Sequence, residues 1–443
     1  MLFCIWSQLT TTLPKRKDIT MQFFIEELVK NNKQMQAHKA EYSAKRKKKT
    51  QALSAFLPRV EASLSYNMDE DREPGPMDVL HGRRTGNKTG NFKAHESAHL
   101  EVRSNLFNSF GDVAGLKEGK AWGEAAKYKY YKDVSEVFLK ALDALLQINV
   151  AITKLEVSHL SAEGREKIYS IANNKFRNKA IALGDLKHAE SERDTAKHQQ
   201  YASDAQYQGA IAEFISYSGI PVEYNYMIEL PNDLPKTYEE AENLMVKNNF
   251  DIQMANYKVD QVQAALLRVK SKFGPRLDFH ADGSQKLGED AAAISEEKKK
   301  DRYHITLGVK GTINIFNGFR DISEYQENAE MLTSVRCERQ AVLSSTRSAL
   351  KSAWAVYSNA LEQRGLLENA VKGYEIATSS AMIKYESGAK SVADVANAQE
   401  TLANAKRHYS DNERVLRLNA WRLKILIGDI KSILNKLDPE ENS

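Results

Sequence analysis

The chain has 443 residues, with 63 Lys and Arg against 59 Asp and Glu and a formal net charge of +4, a balance that excludes polyanion binding by bulk charge. Two cysteines, Cys4 and Cys337, exclude a disulfide scaffold and a Cys-based zinc cluster. No run of about 18 apolar residues occurs, so no membrane-spanning helix is expected, although membrane β-strands need only about ten alternating residues each.

In chain order, Leu2 to Trp6 are apolar but too short for a signal h-region, and Cys4 lacks the small residue expected ahead of a lipid-modified cysteine. Residues 1–17 therefore read as an N-terminal segment, a candidate remnant of a truncated signal region. Asp18 to Ala55 is helical in composition and stops before Pro58, as helices tend to before proline. Strict alternation follows. Val60, Ala62, Leu64 and Tyr66 lie on one face and Glu61, Ser63, Ser65 and Asn67 on the other. A partner strand sets Ala98, Leu100 and Val102 against His99, Glu101 and Arg103. From Asp112 to about Phe176 no proline interrupts, which predicts about 100 Å of helix. Within it Val134, Phe138, Ala141, Leu145, Ile148, Ile152 and Leu155 step 4-3-4-3-4-3, a heptad seam. A shorter helix, Asp185 to Ser216, comes next.

The same order then recurs, and internal repeats decide fold. Val29-Lys-Asn-Asn32 returns as Val246-Lys-Asn-Asn249, Phe56, Pro58 and Arg59 as Phe273, Pro275 and Arg276, and Asn105-Leu-Phe-Asn108-Ser-Phe110-Gly-Asp112 as Asn314-Ile-Phe-Asn317-Gly-Phe319-Arg-Asp321. The second copy predicts helices over Tyr238 to Lys272, Asp321 to about Tyr385 and Asp394 to Leu426. Its strands set Leu277, Phe279 and Ala281 against Asp278, His280 and Asp282, and Ile305, Leu307 and Val309 against Thr306, Gly308 and Lys310. The expected organisation is 18–219 and 238–430 as two copies of one unit, a linker at 220–237 and a polar tail at 431–443. In each unit two half-length helices match one long helix in an antiparallel coiled-coil wall. Four strands that are apolar on one face and polar on the other suit a lipid-facing, lumen-polar sheet, but cannot close a barrel, for which about eight is the smallest number. Open edges are not tolerated in lipid, so several chains must complete the structure.

Three motifs carry a resemblance. Tyr385-Glu-Ser-Gly388-Ala-Lys390-Ser-Val-Ala-Asp394-Val-Ala-Asn397-Ala-Gln399 resembles the periplasmic-tip turn of the TolC family of outer-membrane efflux and secretion channels. Asn314-Ile-Phe-Asn317-Gly318-Phe319 is similar to that family's strand-to-helix segment, and Phe273-Gly-Pro275-Arg-Leu to its helix-to-strand entry, the role that Pro58 would share. The resemblance implies a mainly helical chain with membrane β-structure. It implies a long antiparallel coiled-coil α-barrel plus four strands per protomer, closing a 12-stranded outer-membrane barrel as a homotrimer that extends into the periplasm. It further implies outer-membrane lipid, a periplasmic adaptor and an inner-membrane pump as partners in efflux or type I secretion.

At the tip, Asp394 matches the first carboxylate of the family's gating and selectivity rings, Asn397 stands where a second is usual, and Lys390 stands where an arginine helps hold the tip closed. Asp185 is the first copy's counterpart, and the turn from Phe176 to Asp185 lacks the family's Val-Gly-Leu docking pattern. Asp394 and Asp185 also suit an ordinary role at a helix start. Phe107, Phe110, Phe316 and Phe319 sit at strand ends, where barrels carry aromatic girdles.

Two signals compete. His95-Glu96-Ser-Ala-His99 matches HExxH, which binds zinc from one helical face. Here it leads into an alternating strand, on which the two histidines lie about 13 Å apart, so a polar rim is expected instead. Lys45-Arg46-Lys47-Lys48-Lys49 could bind nucleic acid, which gives the rival reading of a soluble coiled-coil scaffold. The second copy has Val262 to Leu266 there, and a solvated helix face is the expectation, without nucleic acid. No P-loop, dinucleotide turn, GxSxG or Cys/His cluster is present, so neither enzyme activity nor a cofactor is expected.

Overall fold

A computed structural model describes residues 16–71, 77–78, 83–84, 91–222, 225–287, 303–430 and Leu434. The N-terminal segment apart from Arg16 and Lys17, and the polar tail apart from Leu434, lie outside the described residues. The first half runs β1 (Arg16–Ile19), α1 (Met21–Asn31), α2 (Lys33–Leu53), β2 (Arg59–Asp71), β3 (Met77–Asp78), β4 (Arg83–Arg84), β5 (Asn91–Phe107), α3 (Gly111–Arg177) and α4 (Leu183–Ser218). The second runs β6 (Asn225–Ile228), α5 (Tyr238–Asn248), α6 (Phe250–Lys270), β7 (Arg276–Leu287), β8 (Tyr303–Thr312), α7 (Arg320–Glu386) and α8 (Val392–Leu426). No described helix is long and apolar enough to cross a membrane.

Two compact units form, and each repeat contributes to both. One holds Lys45–Glu124 and Tyr257–Cys337; the other holds Ala125–Asn256, the described residues up to Ala44 and those from Glu338 onward.

In the first of these units an antiparallel sheet has the order β2-β5-β7-β8. Register stacks the expected apolar residues row on row: Val60, Val102, Ala281 and Leu307 in one row, Ala62, Leu100, Gly283 and Ile305 in the next. The opposite face carries Glu61, Glu101, Asp282 and Thr306 in one row and Ser63, His99, Ser284 and His304 in another. The ladders of β2 and β5 run past the stretch of clean alternation, to Asp71 and from Asn91, because backbone pairing continues where the side-chain pattern ends. Pro58 and Pro275 each follow a single 3₁₀ turn, Ser54–Phe56 and Ser271–Phe273, and release the chain into β2 and β7. At the other strand end, Asn108 Oδ1 accepts from Asp112 N at 2.9 Å and Asn317 Oδ1 from Asp321 N at 3.4 Å, so the repeated Asn caps each long helix.

In the second unit the heptad seam of α3 is buried throughout, from Val134 through Phe138, Ala141, Leu145, Ile148 and Ile152 to Leu155. Phe138 meets Phe24 edge-on at 6.0 Å and Trp421 at 6.0 Å, while Phe24 stacks on Phe214 at 6.2 Å. The second copy packs Ala241, Met245, Leu350, Ala353 and Leu423 at its own joint.

The expected single helices 18–55 and 238–272 are each broken. Asn32 and Asn249, the last residues of the repeated Val-Lys-Asn-Asn, leave helical geometry with ψ of 117° and 136°. Each asparagine then works twice. Asn32 Oδ1 accepts from Met35 N at 2.9 Å and Asn249 Oδ1 from Asp251 N at 3.0 Å, capping the next helix. Their amides donate to Tyr217 O and Leu426 O, carbonyls at the C-terminal ends of α4 and α8. Gly219 and Gly428 turn the backbone out of α4 and α8 just beyond those carbonyls at φ of 69° and 73°, and a Cβ on Gly219 would lie 3.0 Å from Asn31 O. Composition did not show the breaks because a buried cap depends on a partner from a distant helix.

Asn249 is 3% exposed and satisfies groups on both helices. Asn249→Ala should therefore cost about 1–2 kcal/mol, read as a lowered thermal midpoint of the assembled protein, with Asn249→Asp recovering the cap but not the donor.

Candidate functional site: the turns between the long and short helices

The two helix hairpins α3-α4 and α7-α8 end in turns that the second unit packs together. Ile168, Ala172 and Ala189 from the first hairpin and Ala381, Tyr385 and Val395 from the second form one buried cluster. Tyr385, named from the sequence as a gate residue, is its largest member and is 4% exposed. Burial raises its phenol pKa, and the Lys175 ammonium lies 5.0 Å over its ring, a cation–π contact that joins the hairpins.

Beside this cluster Arg165 is 7% exposed. Its guanidinium pairs with Glu192 of α4 and donates to Ala396 O of α8 at 3.3 Å. One side chain on α3 therefore ties both short helices. Within each hairpin, Lys197–Glu166 and Lys406–Glu375, each at 2.7 Å, repeat one largely exposed ion pair in the two copies. Such exposed pairs contribute little, about 0–1 kcal/mol each.

The remaining predicted residues sit at the turn surface. Asp394 is exposed and completes a capping box: Ser391 Oγ accepts from Asp394 N at 3.2 Å, while Ser391 N donates to Asp394 Oδ2 at 2.8 Å. Hydrogen bonds from the Ser391 hydroxyl and backbone hold its carboxyl below the ordinary value, with Lys390 adding a smaller pull. A depressed carboxyl favours the folded turn above the ordinary carboxylate range and loses that effect as pH falls through its lowered value. Asp394 thus serves the helix start as well as offering a charge at the tip. Asp185 sits at the same position of α4, where Ala182 N donates to it at 3.3 Å and Ala182 has no hydroxyl to answer. Asn397, one turn beyond Asp394, is exposed, as is Lys390.

Gly388 takes the left-handed conformation that closes α7, φ 81°, with its N–H donating to Tyr385 O at 3.0 Å. At the matching position of the first copy stands Lys179, φ 58°, with the same hydrogen bond to Phe176 O at 2.9 Å.

The aromatic candidates belong to the first unit and form matched pairs at the strand-to-helix joints. Phe107 and Phe110 meet edge-on at 5.5 Å, Phe316 and Phe319 at 5.3 Å. Phe110, Phe316 and Phe319 are exposed.

HExxH lies on β5 and not on a helix, so the backbone separates His95 from His99 as expected for a strand. Lys45–Lys49 lie within α2, and Lys47, Lys48 and Lys49 are exposed. Sequence reasoning did not reach Arg165, Glu192 or Lys175. Duplication pointed away from Arg165, whose counterpart in the second copy is an exposed tyrosine, Tyr374.

Residues 24–219 and 243–429 match the family model described as outer membrane efflux protein. Outer membrane efflux protein BepC of Brucella suis biovar 1 (strain 1330) is 22% identical over 383 residues, spanning 84% of this chain and 77% of that protein. Among solved structures, the Campylobacter jejuni CmeC outer membrane channel superposes with a TM-score of 0.78 at 14% identity over 94% of this chain and 89% of its own. The outer membrane protein VceC of Vibrio cholerae does so with 0.72 at 14% identity over 93% and 95%.

A lysine held at positive φ costs about 1–2 kcal/mol relative to glycine, part of which glycine's freer unfolded chain takes back. Lys179→Gly should raise stability by roughly 0.5–1 kcal/mol, seen as a higher thermal midpoint, whereas Gly388→Lys should lower it.

Proposed function

This chain belongs to the outer membrane efflux protein family, and from that membership we propose that three copies close one passive exit duct through the outer membrane. An outer-membrane efflux channel is what the family is; the trimer, its closure and its partners are the reading developed here. The observation that carries it is the four-stranded sheet. Leu64, Ile305, Leu307 and Val309 are 81%, 66%, 70% and 61% exposed, so the chain by itself leaves much of the apolar face uncovered. Acyl chains suit that face, and water suits the carboxylates and histidines of the other.

β2 and β8 are the outer strands of this sheet. In hydrocarbon their free N–H and C=O groups need partners, which the β8 edge of one copy and the β2 edge of the next provide. Three copies give twelve strands. The long helices support the same assembly. Ile152 of α3 is buried, yet its counterpart Leu361 on α7 is 48% exposed, along with Leu366, Tyr374, Ile376 and Ile383. Exposed apolar residues of that kind are what a neighbouring copy covers.

On this reading, residues 18–219 and 238–430 are the two copies of one structural unit joined by 220–237. Phe107, Phe110, Phe316 and Phe319 form the girdle at the membrane boundary, and Pro58 and Pro275 turn the chain into the barrel. The turns carrying Asp185 and Asp394 form the periplasmic gate. Three Asp394 carboxylates around one axis favour cations and oppose one another's ionisation, against the pull of Ser391. With Asn397 in place of a second carboxylate, the ring is a single one. Opening separates the α3-α4 and α7-α8 turns, which Lys175 on Tyr385 and Arg165 between α4 and α8 resist; contact from a periplasmic adaptor attached to an inner-membrane pump drives it. Cargo passes without covalent chemistry. The rival scaffold reading finds no support in a family of outer-membrane channels; its basic stretch lies within α2, with Lys47, Lys48 and Lys49 exposed.

Heat-modifiable trimers in the outer-membrane fraction are expected; a cytosolic monomer or dimer would overturn the assembly. Leu100→Arg, on the lipid face, should cost about 2–4 kcal/mol and block trimer insertion, while Ser63→Arg on the polar face should be tolerated. In planar bilayers Asp394→Ala should lower cation preference, and unchanged selectivity would refute the tip ring.

A further inference from the structure

One carboxylate row on the sheet stands out electrostatically. Register places Glu61, Glu101 and Asp282 directly opposite one another on β2, β5 and β7, all on the polar face. Like charges directly opposite across a sheet are destabilising. Arg59 lies 3.6 Å from Glu61, and Arg103 pairs with Glu101 through Oε1 only. Asp282 meets an imidazole instead: His99 Nε2 lies 3.8 Å from its Oδ1. One ligand atom each from His99, Glu101 and Asp282 lies within 4.8 Å of the others.

We propose that His99, Glu101 and Asp282 form a binding site for a divalent transition metal ion on the polar face of the sheet. The donor set decides the class. One imidazole nitrogen with two carboxylate oxygens suits Zn²⁺, Ni²⁺ or Cu²⁺, whereas Ca²⁺ and Mg²⁺ take oxygen ligands alone. Bonds of about 2.0–2.2 Å place the ligand atoms of a tetrahedral or octahedral ion about 3–3.5 Å apart. The present separations contract to that by side-chain rotation, for which His99, 41% exposed, and Asp282, 31% exposed, have room. Arg103 can remain on Glu101 Oε1 while Oε2 turns to the ion. Three protein ligands leave the other positions to water, so the ion is exchangeable.

A second cluster, His38, Glu41 and Asp133, shows what a filled counterpart looks like. There the Lys129 ammonium sits 3.1 Å from both Glu41 oxygens and 3.2 Å from Asp133 Oδ2, and supplies the cation itself. Beside Asp282 the structure sets the His99 ring, 3.8 Å away, whose nitrogen is of the kind that ligates a metal ion. The HExxH signature, which fails as a helical zinc site, thus still contributes its second histidine to a site built across strands.

The site itself rests on strand register; its position inside a duct rests on the channel reading. Isothermal titration of untagged, detergent-purified protein with NiCl₂, at a pH above the ordinary imidazole range, tests it. One Ni²⁺ per chain is expected, with His99→Ala and Asp282→Asn each weakening binding by about tenfold or more and Glu330→Gln, at an exposed carboxylate on α7, leaving it unchanged. Equal binding in wild type and His99→Ala, no binding at all, or loss through Glu330→Gln alone would overturn the proposal. Failure of the channel reading shows separately, as absence of conductance from the same preparation.

Discussion

Unpaired backbone groups on β2 and β8 are the constraint from which the rest follows. A sheet edge in water is tolerable because solvent completes the hydrogen bonds, but hydrocarbon offers no donor or acceptor. Once the exposed row from Val60 to Leu307 is given to lipid, the edges must be given to other copies of the chain. The polar rows must then enclose water. In the trimer proposed above a single protomer is a third of the structure, and its exposed apolar area is surface that assembly would cover.

Duplication explains how one chain supplies matching pieces, and the joints show where matching was needed. Asn32 and Asn249 each break a helix, cap its continuation and bind a carbonyl at the end of the short helix of the same repeat. Gly219 and Gly428 make that approach possible. Because each asparagine finds both its donor and its acceptor partner in its own repeat, the Val-Lys-Asn-Asn motif and its glycine act as one unit. The tip follows another logic. Gly388 and Lys179 hold the same turn conformation with unequal ease, and Arg165 has no counterpart, so the two hairpins are not equivalent there. In the gate proposed above that asymmetry makes two different halves, in which one hairpin supplies Lys175 and Arg165 and the other presents Tyr385 and the Ala396 carbonyl.

Strands, long helices and their repetition were legible in the sequence because each rests on a local period. Alternation of Val60 to Asn67 sets which residues share a face whatever the partner strand, and the 4-3 spacing of Val134 to Leu155 does the same for a buried seam. The motifs around Gly388, Asn317 and Pro275 were legible because turns and caps demand particular residue types within a few positions. What composition could not show were contacts between residues far apart in the chain. The break at Asn249 depends on Leu426, the burial of Arg165 on Glu192 and Ala396, and the grouping of His99 with Asp282 on a strand register between the two repeats.

The sequence by itself determined a duplicated chain of amphipathic strands and heptad helices, and a family resemblance at its turns. Only the tertiary structure decided which charges meet. Periodicity specifies the face on which a side chain stands, whereas the partner across that face is set by how distant segments pair, and a hydrogen bond or ion pair exists only when both ends arrive.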